Sequence, residues 1–261
     1  MRILLILMII SFLSICYSGE YSETRNLKLS GEDIELLKID CGAGFLKVTG
    51  NETQKDIEVQ AEIIVKKIDR KHVEDFLKKY LKLSLERKGR KAYLIAGADQ
   101  RNSFFSSLFG EKSQVIINLT VNVPKNIGLN VDDGSGFIDI KGTHGGIYID
   151  DGSGQLTVNN IVGNVEIDDG SGEINLENIE GDVRIDDGSG ELTLYHITGN
   201  VNIEDGSGEL AVVNIEGDVW IDDGSGTIKL DDIKGDVTII NAGSGGVSIK
   251  NVSGEVVRKD D

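Results

Sequence analysis

Apolar and polar residues alternate in short stretches between residues 131 and about 257, and the same stretch returns every 18 residues. Within one unit, Ile174 and Leu176 alternate with polar residues, and Val183 and Ile185 do the same. Alternation with a period of two is typical of half-buried strands, because successive side chains of a strand point to opposite faces. Each unit therefore predicts two short strands joined by two turns.

The marker of the repeat is the sequence Asp-Asp-Gly-Ser-Gly. It begins at Asp132, Asp150, Asp168, Asp186, Glu204 and Asp222, and a degraded copy begins at Asn241. Glycine tolerates positive φ, and aspartate bonds readily to nearby backbone amides, so the marker predicts a tight turn. A fixed period of this size indicates a repeat architecture in which each unit stacks on the next.

Two folds could use this unit, an antiparallel meander or a parallel β-solenoid with one unit on each coil. Aligning the units produces columns of like residues. Two apolar columns are Ile138, Leu156, Ile174, Leu192, Leu210, Ile228, Val247 and Ile147, Val165, Val183, Val201, Val219, Val237, Val256. A third is Ile161, Ile179, Ile197, Ile215, Ile233, which falls within a turn where a hairpin would rarely hold isoleucine. The columns therefore favour a mainly β protein, a parallel β-solenoid of about seven 18-residue coils over residues 131–258.

A polar column supports the same alignment. It consists of Asn160, Asn178, His196, Asn214, Asp232 and Asn251. Side-chain amides that recur at the spacing of stacked strands can bond to one another from coil to coil. We therefore expect a ladder of mostly asparagine side chains along one corner of the solenoid.

Residues 19–130 predict a small α+β segment that precedes the solenoid. Ile57–Val65 and Val115–Val123 alternate as strands, whereas Asp69–Leu81 has the periodicity of an amphipathic helix. Open ends of a solenoid expose unpaired strand edges, so we expect this segment to cap the first coil. Residues 39–48 form a diverged copy of the repeat marker, in which Cys41 is expected to be a small buried residue at a turn.

The first residues predict export. Met1 and Arg2 precede an apolar run, Ile3–Ile15, which is too short to span a bilayer and is typical of a signal peptide over residues 1–18. Cys16 stands where a bacterial lipoprotein would carry its lipid, and the alternative is an ordinary signal peptide with an incidental cysteine. The protein is then expected to be periplasmic, exposed on the cell surface or secreted. Lipid anchoring is expected if Cys16 is modified.

Charge is distributed unevenly along the chain. The whole chain has a net charge of −17, but Lys66–Lys91 holds eleven basic residues against four acidic ones. The acidic chain lacks base-stacking motifs, which argues against nucleic-acid binding. Two interpretations of the basic segment remain: contact with an anionic membrane surface or envelope polymer, and a solvated helix face.

Three phenylalanines, Phe104, Phe105 and Phe109, lie close together in a predicted loop. They either fold back over the core or the open coil, or they form an exposed apolar contact site.

The paired acids of the marker are the one candidate metal site. Stacked at coil spacing, they would repel one another, and calcium could neutralise them because it accepts carboxylate oxygens in flexible geometry. The candidate ligands of such a ladder are Asp150, Asp151, Asp168, Asp169, Asp186, Asp187, Asp222 and Asp223. In the alternative, one aspartate of each pair accepts hydrogen bonds from turn amides and the other faces water. No other cofactor is expected.

The chain resembles the bacterial putative-adhesin family of β-strand-repeat proteins, a domain of unknown function. Three features carry the resemblance: the early Gly-Ala-Gly at residues 42–44, the insert that bears the helix, and Val121–Pro124 leading into Leu129–Gly136. The match extends from about Leu37 to Val257. The resemblance implies an exported envelope protein with a β-solenoid fold and no known catalytic residues.

Residues with catalytic potential do not form a recognisable constellation. His72, His144 and His196 have no serine or cysteine at a suggestive spacing, and Gly-Ser-Gly recurs in every coil as a turn. We therefore predict an exported, non-enzymatic module for binding, adhesion or scaffolding at the cell envelope, with an envelope polymer or protein as its partner. The alternatives are an envelope sensor or regulatory partner protein and, third, a polysaccharide-active enzyme.

Overall fold

The computed structural model describes residues 15–17, 20–66, 70–98 and 114–259. In these residues the chain forms two β-sheets that enclose one apolar interior, sheet A with 12 strands and sheet B with 11. The N-terminal elements are β1 (Ile15–Tyr17), β2 (Glu20–Ser30), β3 (Leu36–Asp40), β4 (Ala43–Asn51), β5 (Asp56–Lys66), α1 (Arg70–Tyr80), β6 (Leu81–Lys88), β7 (Lys91–Ala98) and β8 (Gln114–Pro124).

From residue 128 onward, strands alternate between the two sheets. Those of sheet B are β9 (Gly128–Asp133), β11 (Ile147–Asp151), β13 (Val165–Asp169), β15 (Val183–Asp187), β17 (Val201–Asp205), β19 (Val219–Asp223), β21 (Val237–Asn241) and β23 (Val256–Arg258). Those of sheet A are β10 (Ser135–Lys141), β12 (Gly154–Val162), β14 (Gly172–Glu180), β16 (Gly190–Ile197), β18 (Gly208–Ile215), β20 (Gly226–Ile233) and β22 (Val247–Val252).

The pairing of these strands confirms the parallel β-solenoid. Each strand pairs in parallel with its equivalent one coil away, so that Leu156 lies beside Ile174 and Ile174 beside Leu192. One coil therefore consists of a strand of sheet B, the marker turn and a strand of sheet A. Like residues meet because the offset between paired positions equals the repeat length.

Each of the five coils from β11 and β12 to β19 and β20 turns five apolar side chains and one aspartate into the interior. In the coil of β13 and β14 the apolar ones are Val165, Ile167, Ile174, Leu176 and Ile179, all at most 1% exposed. The long strand of sheet A bends at Asn178, whose φ is 57°, and this bend turns Ile179 inward. Asn, Asp and His tolerate this left-handed conformation better than other non-glycine residues. The third apolar column, predicted within a turn, is therefore buried.

The N-terminal segment continues both sheets rather than forming a separate layer. β3 and β4 make a coil whose Gly44 lies beside Gly136, which confirms the diverged marker within residues 39–48. β7 and β8 pair in parallel with the outer edges of β3 and β4. The sheets thus cross residue 130, the predicted boundary, without a break.

Antiparallel strands end the stack on the N-terminal side. β5 pairs with β8, β2 with β5, and β1 with β2, whereas β6 pairs with β7. α1 connects β5 to β6 and buries Val73, Phe76, Leu77 and Tyr80. The predicted helix over 69–81 was one residue too long at its end, because Leu81 opens β6. α1, the helix among the described residues, is neither long nor apolar enough to span a membrane.

At the C-terminal end of the stack, one part of the predicted core is wrong. Val247 and Val256 were expected to close two buried columns, but Val247 is only partly buried and Val256 is 41% exposed. Within the described residues, nothing stacks beyond β22 and β23. The last coil consequently leaves one side of its apolar residues open.

Candidate functional site

The marker turn packs glycine against glycine from coil to coil. Gly172 has a φ of 157°, and a Cβ added to it would lie 1.8 Å from the carbonyl oxygen of Gly154. No side chain fits that space, so any other residue at this position would force the coils apart. The turn therefore owes its recurrence to close backbone approach, and it holds the residues before it in one fixed orientation.

The two acids of each marker point to opposite faces of sheet B, because they are consecutive residues of a strand. The outer aspartates Asp132, Asp150, Asp168 and Asp186 are exposed, and Asp222 is partly buried. The second acids point inward and are between 0% and 5% exposed: Asp133, Asp151, Asp169, Asp187, Asp205 and Asp223. We call these six residues the inner aspartate column.

One oxygen of each inner aspartate is held by the turn that follows it. The Oδ1 atoms of Asp169, Asp187 and Asp223 accept hydrogen bonds from the backbone N–H two residues later, at 3.2, 3.3 and 3.0 Å. Asp151 and Asp205 make the same bond. The remaining oxygen of each of the six carboxyl groups is buried and has no hydrogen-bond partner within the described residues. The column thus contains a row of buried carboxyl oxygens that accept no hydrogen bond within the described residues.

Burial raises the pKa of these carboxyl groups, because the charged form loses its hydration. The pKa is about 7 for Asp133 and Asp187, and about 6 for Asp169 and Asp205. Charges on neighbouring column members add to the rise, whereas the hydrogen bonds from turn amides oppose it. The pKa values of Asp151 and Asp223 are raised for the same first reason.

Small residues close both ends of the column. Cys41 occupies the position beside Asp133, because Asp40 pairs with Asp132, and its thiol hydrogen-bonds to the Asp133 carboxyl group. Burial, followed by the charge of Asp133, raises the pKa of the thiol. Ala242, which is buried, follows the irregular pairing between β19 and β21 at the other end. Cys41 thus serves as a small turn residue in a diverged marker, as the sequence predicts.

This geometry bears on the calcium hypothesis. Asp151, Asp169, Asp187 and Asp223 are inner residues, whereas their partners Asp150, Asp168, Asp186 and Asp222 belong to the outer face. The two members of a pair therefore cannot chelate one ion together. Among the described residues, no group of three or more His, Cys, Asp or Glu side chains could hold a metal ion. Calcium binding therefore stays a prediction.

A groove runs along the outer face of sheet B, parallel to the stacking direction. One wall is a ladder formed by Asn164, Asp182, Asn200, Asp218 and Asp236, at the corner that precedes each strand of the sheet. Each of the first four side chains accepts a hydrogen bond from the backbone N–H of the next residue in the ladder, at 3.1, 2.8, 2.9 and 2.8 Å. These bonds make the wall a continuous, rigid array.

The floor of this groove is the outward column of five successive strands: Glu166, Arg184, Asn202, Trp220 and Thr238. Trp220, the one tryptophan of the chain, is partly exposed between Asn202 and Thr238. Arg184 Nη2 lies 3.3 Å from Glu204 Oε1 in the next coil. The groove encloses about 600 Å³. We call it the sheet B groove.

The ladder in the wall is a feature that inspection of the sequence missed. Its signal was present, because Asn or Asp recurs immediately before each inward valine of sheet B. The expected ladder at the other corner is seen in part, since Asn178 Nδ2 donates to Asn160 Oδ1 at 3.2 Å. His144 and His196 lie along that second corner and line a smaller depression of about 310 Å³.

Several predicted features lie wholly or partly outside the described residues. These are residues 1–14 of the predicted signal peptide, the side chain of Cys16, the side chain of His72, and Phe104, Phe105 and Phe109. In the basic segment, Arg90 forms an ion pair with Glu35 at 2.5 Å, and Lys88 lies over the ring of Tyr93. Membrane contact by this segment stays a prediction.

Comparison with known proteins gives one family and a set of distant structures. No curated protein matches the chain. A "putative cell adhesion protein" from Clostridium sporogenes has 16% identity and a TM-score of 0.37, over 88% of this chain and 99% of that one. A "putative adhesin" from Bacteroides fragilis has 16% identity and a TM-score of 0.37, over 91% and 96% of the two chains. A "putative lipid binding protein" from Parabacteroides distasonis has 17% identity and the same score and coverage.

The family assignment rests on the sequence model. The model of the Toastrack family, DUF4097, matches residues 46–258, which include all the marker turns and both ladders. The matched residues make up most of the chain, and they include every element from β4 onward apart from the first residues of β4. The protein therefore belongs to the Toastrack DUF4097 family.

Proposed function

We propose that this protein is an exported, non-enzymatic binding module of the cell envelope, and that the sheet B groove is its ligand-binding surface. The observation that carries the proposal is the groove itself, a polar channel across five coils with one exposed aromatic ring in its floor. Adhesion and scaffolding are both uses of such a surface. The recurring Gly-Ser-Gly turns pack backbone against backbone between coils, which accounts for their recurrence without a catalytic role.

The dimensions of the groove favour an elongated ligand. Five strands at about 4.8 Å spacing give a floor roughly 19 Å long, which matches several units of an extended polymer better than one small molecule. Its polar side chains offer both donors and acceptors, and Trp220 adds a flat apolar surface. Sites that bind polar ligands combine such an aromatic surface with a few oriented polar groups.

Charge narrows the class of ligand further. Asp182, Asp218 and Asp236 in the wall and Glu166 in the floor are acidic, against Arg184 alone among the basic residues of this groove. The whole chain also has a net charge of −17. A polyanion would be repelled, so a neutral polysaccharide is the envelope polymer that fits the groove best.

Binding to immobilised neutral polysaccharides tests this proposal. Trp220→Ala should weaken binding about tenfold or more, because an anchoring tryptophan contributes a large share of interface energy. The matched control is Tyr195→Ala, which removes an aromatic ring that is 43% exposed on the outer face of sheet A. Equal binding by both variants and the native protein would place the ligand elsewhere. Binding only to an envelope protein would favour the sensor or regulatory alternative.

Export is the second part of the proposal, and it rests on the apolar run between Ile3 and Ile15. The N-terminus of the protein isolated from its native host should begin near residue 19 if a signal peptidase acts, or at a lipid-modified Cys16. Mass spectrometry of the N-terminal peptide distinguishes these two outcomes. A mature protein that still begins at Met1 would contradict export by this route.

A further inference from the structure

We propose that the inner aspartate column is a proton-binding site, in which neighbouring carboxyl groups share protons, so that acidification stabilises the solenoid. The column is independent of the sheet B groove, since it lies on the opposite face of the same strands. Six coils contribute one aspartate each, and the column therefore extends through most of the stack.

The geometry of the column leaves a place for protons. Asp169 pairs with Asp151 on one side and with Asp187 on the other. Paired positions of adjacent strands are about 4.8 Å apart, which brings the carboxyl groups within reach of one another. One oxygen of each group is already bound to a turn amide, and the other is buried without a partner in the described residues.

A shared proton satisfies this arrangement better than any other state of the column. If all six groups were ionised, each would carry a buried charge with like charges on both sides, which costs several kcal/mol per group. A neutral carboxyl group instead donates its O–H to the unpartnered oxygen of the next group. Carboxylates that close together take up protons in steps that belong to the set rather than to one residue.

Lys82 of β6, which is exposed, shares a pocket with Asp40, Cys41 and Gly134 at the N-terminal end of the column, but it is not among the groups that shift the pKa of Asp133. On the same strands, the outer aspartates Asp150, Asp168 and Asp186 act through the sheet and favour proton uptake. Cys41, with Asp40 and Asp132 nearby, closes the N-terminal end. On the turn side, the column meets the backbone amides of glycine and serine. No lysine, arginine or histidine is among the groups that shift the pKa of these described carboxyl groups.

The sign of the pH dependence follows from linkage. An unfolded aspartate has a pKa of about 3.9, whereas the folded values for Asp169 and Asp187 are about 6 and about 7. The folded state therefore binds protons more tightly than the unfolded state. The stabilisation is complete below pH of about 4 and is lost as the pH rises through the range of about 6 to 7.

Two matched triple variants test the proposal. The inner variant is Asp151→Asn, Asp169→Asn, Asp187→Asn, and the outer variant is Asp150→Asn, Asp168→Asn, Asp186→Asn. Both remove three carboxyl groups from the same three coils, so both change the net charge equally. Asparagine can still accept the turn hydrogen bond through its side-chain oxygen, and its NH₂ group can donate to the neighbouring residue. The inner variant is therefore expected to fold.

The melting temperature of the native protein should rise by at least about 5 °C between pH 8 and pH 5. The outer variant should keep most of this rise, and the inner variant should lose more than half of it. Calorimetry at pH 6 in buffers of different ionisation enthalpy should also show proton release when the native protein unfolds. That second measurement needs no variant, so it decides the matter even if the inner variant does not fold. Equal pH dependence in the two variants, or unfolding of the native protein without proton release, would overturn the proposal.

Discussion

Replacing Val183 with aspartate should destabilise the protein by about 4 kcal/mol. Val183 is 2% exposed and lies between Val165 and Val201 in the interior of the solenoid. Removing a buried valine costs about 1.5–3 kcal/mol of apolar burial. The new carboxyl group adds the cost of an unpaired polar group in a dry site, about 1–3 kcal/mol or more when it is charged. For a chain of this length, the melting temperature should fall by roughly 8–16 °C.

The native aspartate at position 187 shows why the same residue is costly at position 183. Asp187 lies at the end of β15, where the turn presents the free N–H of Ser189 to its carboxyl group. Val183 lies at the start of β15, and the residue two positions later, Ile185, is within the ladder between β13 and β15 and between β15 and β17. A carboxyl group at position 183 therefore lacks the turn amide that stabilises Asp187.

Thermal and urea unfolding measure the effect against two controls. Val183→Ala retains the apolar character and should lose only about 1–3 kcal/mol, so the difference between the two variants isolates the carboxyl group. Arg184→Thr changes the next, outward residue, and should shift stability by less than about 1 kcal/mol because its ion pair with Glu204 is exposed. Threonine already occupies this column at Thr238. Similar losses from Val183→Asp and Arg184→Thr would refute the inward assignment of Val183.

Three other changes test the repeat, the corner and the cation hypothesis. Deletion of one coil, Gly170–Asp187, should leave a folded and shorter solenoid by circular dichroism, because Gly188 then takes the place of Gly170 in an unchanged register; loss of all β-structure would contradict stacking by nearest neighbours. Asn178→Ala should lower the free energy of unfolding by about 1–2 kcal/mol, since alanine resists a φ of 57°, whereas Asn178→Gly should cost less; the reverse order would exclude the left-handed corner. If calcium binds the outer aspartates, millimolar calcium should raise the melting temperature more than sodium does at equal ionic strength. The outer triple variant should then lose this response. Identical melting curves in calcium and in sodium would contradict calcium binding.

The stacking of coils could be predicted because a parallel solenoid repeats each contact at a fixed offset. Ile174, Leu192 and Leu210 align in the sequence for the same reason that their strands pair in register. The inner aspartates were within reach of the same reasoning. Asp187 follows Val183 and Ile185 at a spacing of two, so the strand period places all three side chains on one face. Their polarity hides this relation when only apolar residues are aligned.

The arrangement of the N-terminal segment could not be obtained from the repeat pattern. β7 and β8 stack outside β3 and β4, although they follow them in the sequence by about fifty and about sixty residues. Pairing between distant segments depends on which edges are free after the neighbouring coils have formed. β2 also escaped prediction, although Leu27 and Leu29 alternate with polar residues and are buried. A single strand without a repeated partner carries too weak a pattern to specify its neighbour.

The fold separates the residues that hold the solenoid together from those that a partner can contact. Marker glycines, corner residues with positive φ, and inward side chains each have a neighbour of the same kind in the next coil, so a change in any of them disturbs two interfaces. The outward column in the floor of the sheet B groove has no such constraint, and it holds Glu166, Arg184, Asn202, Trp220 and Thr238 in successive coils. A surface whose side chains differ from coil to coil, on a backbone that repeats in every coil, is suited to recognition. This contrast supports the proposal that binding occurs on the outward column of the sheet B groove, whereas the proposed proton uptake by the inner aspartates would set the pH at which the scaffold is most stable.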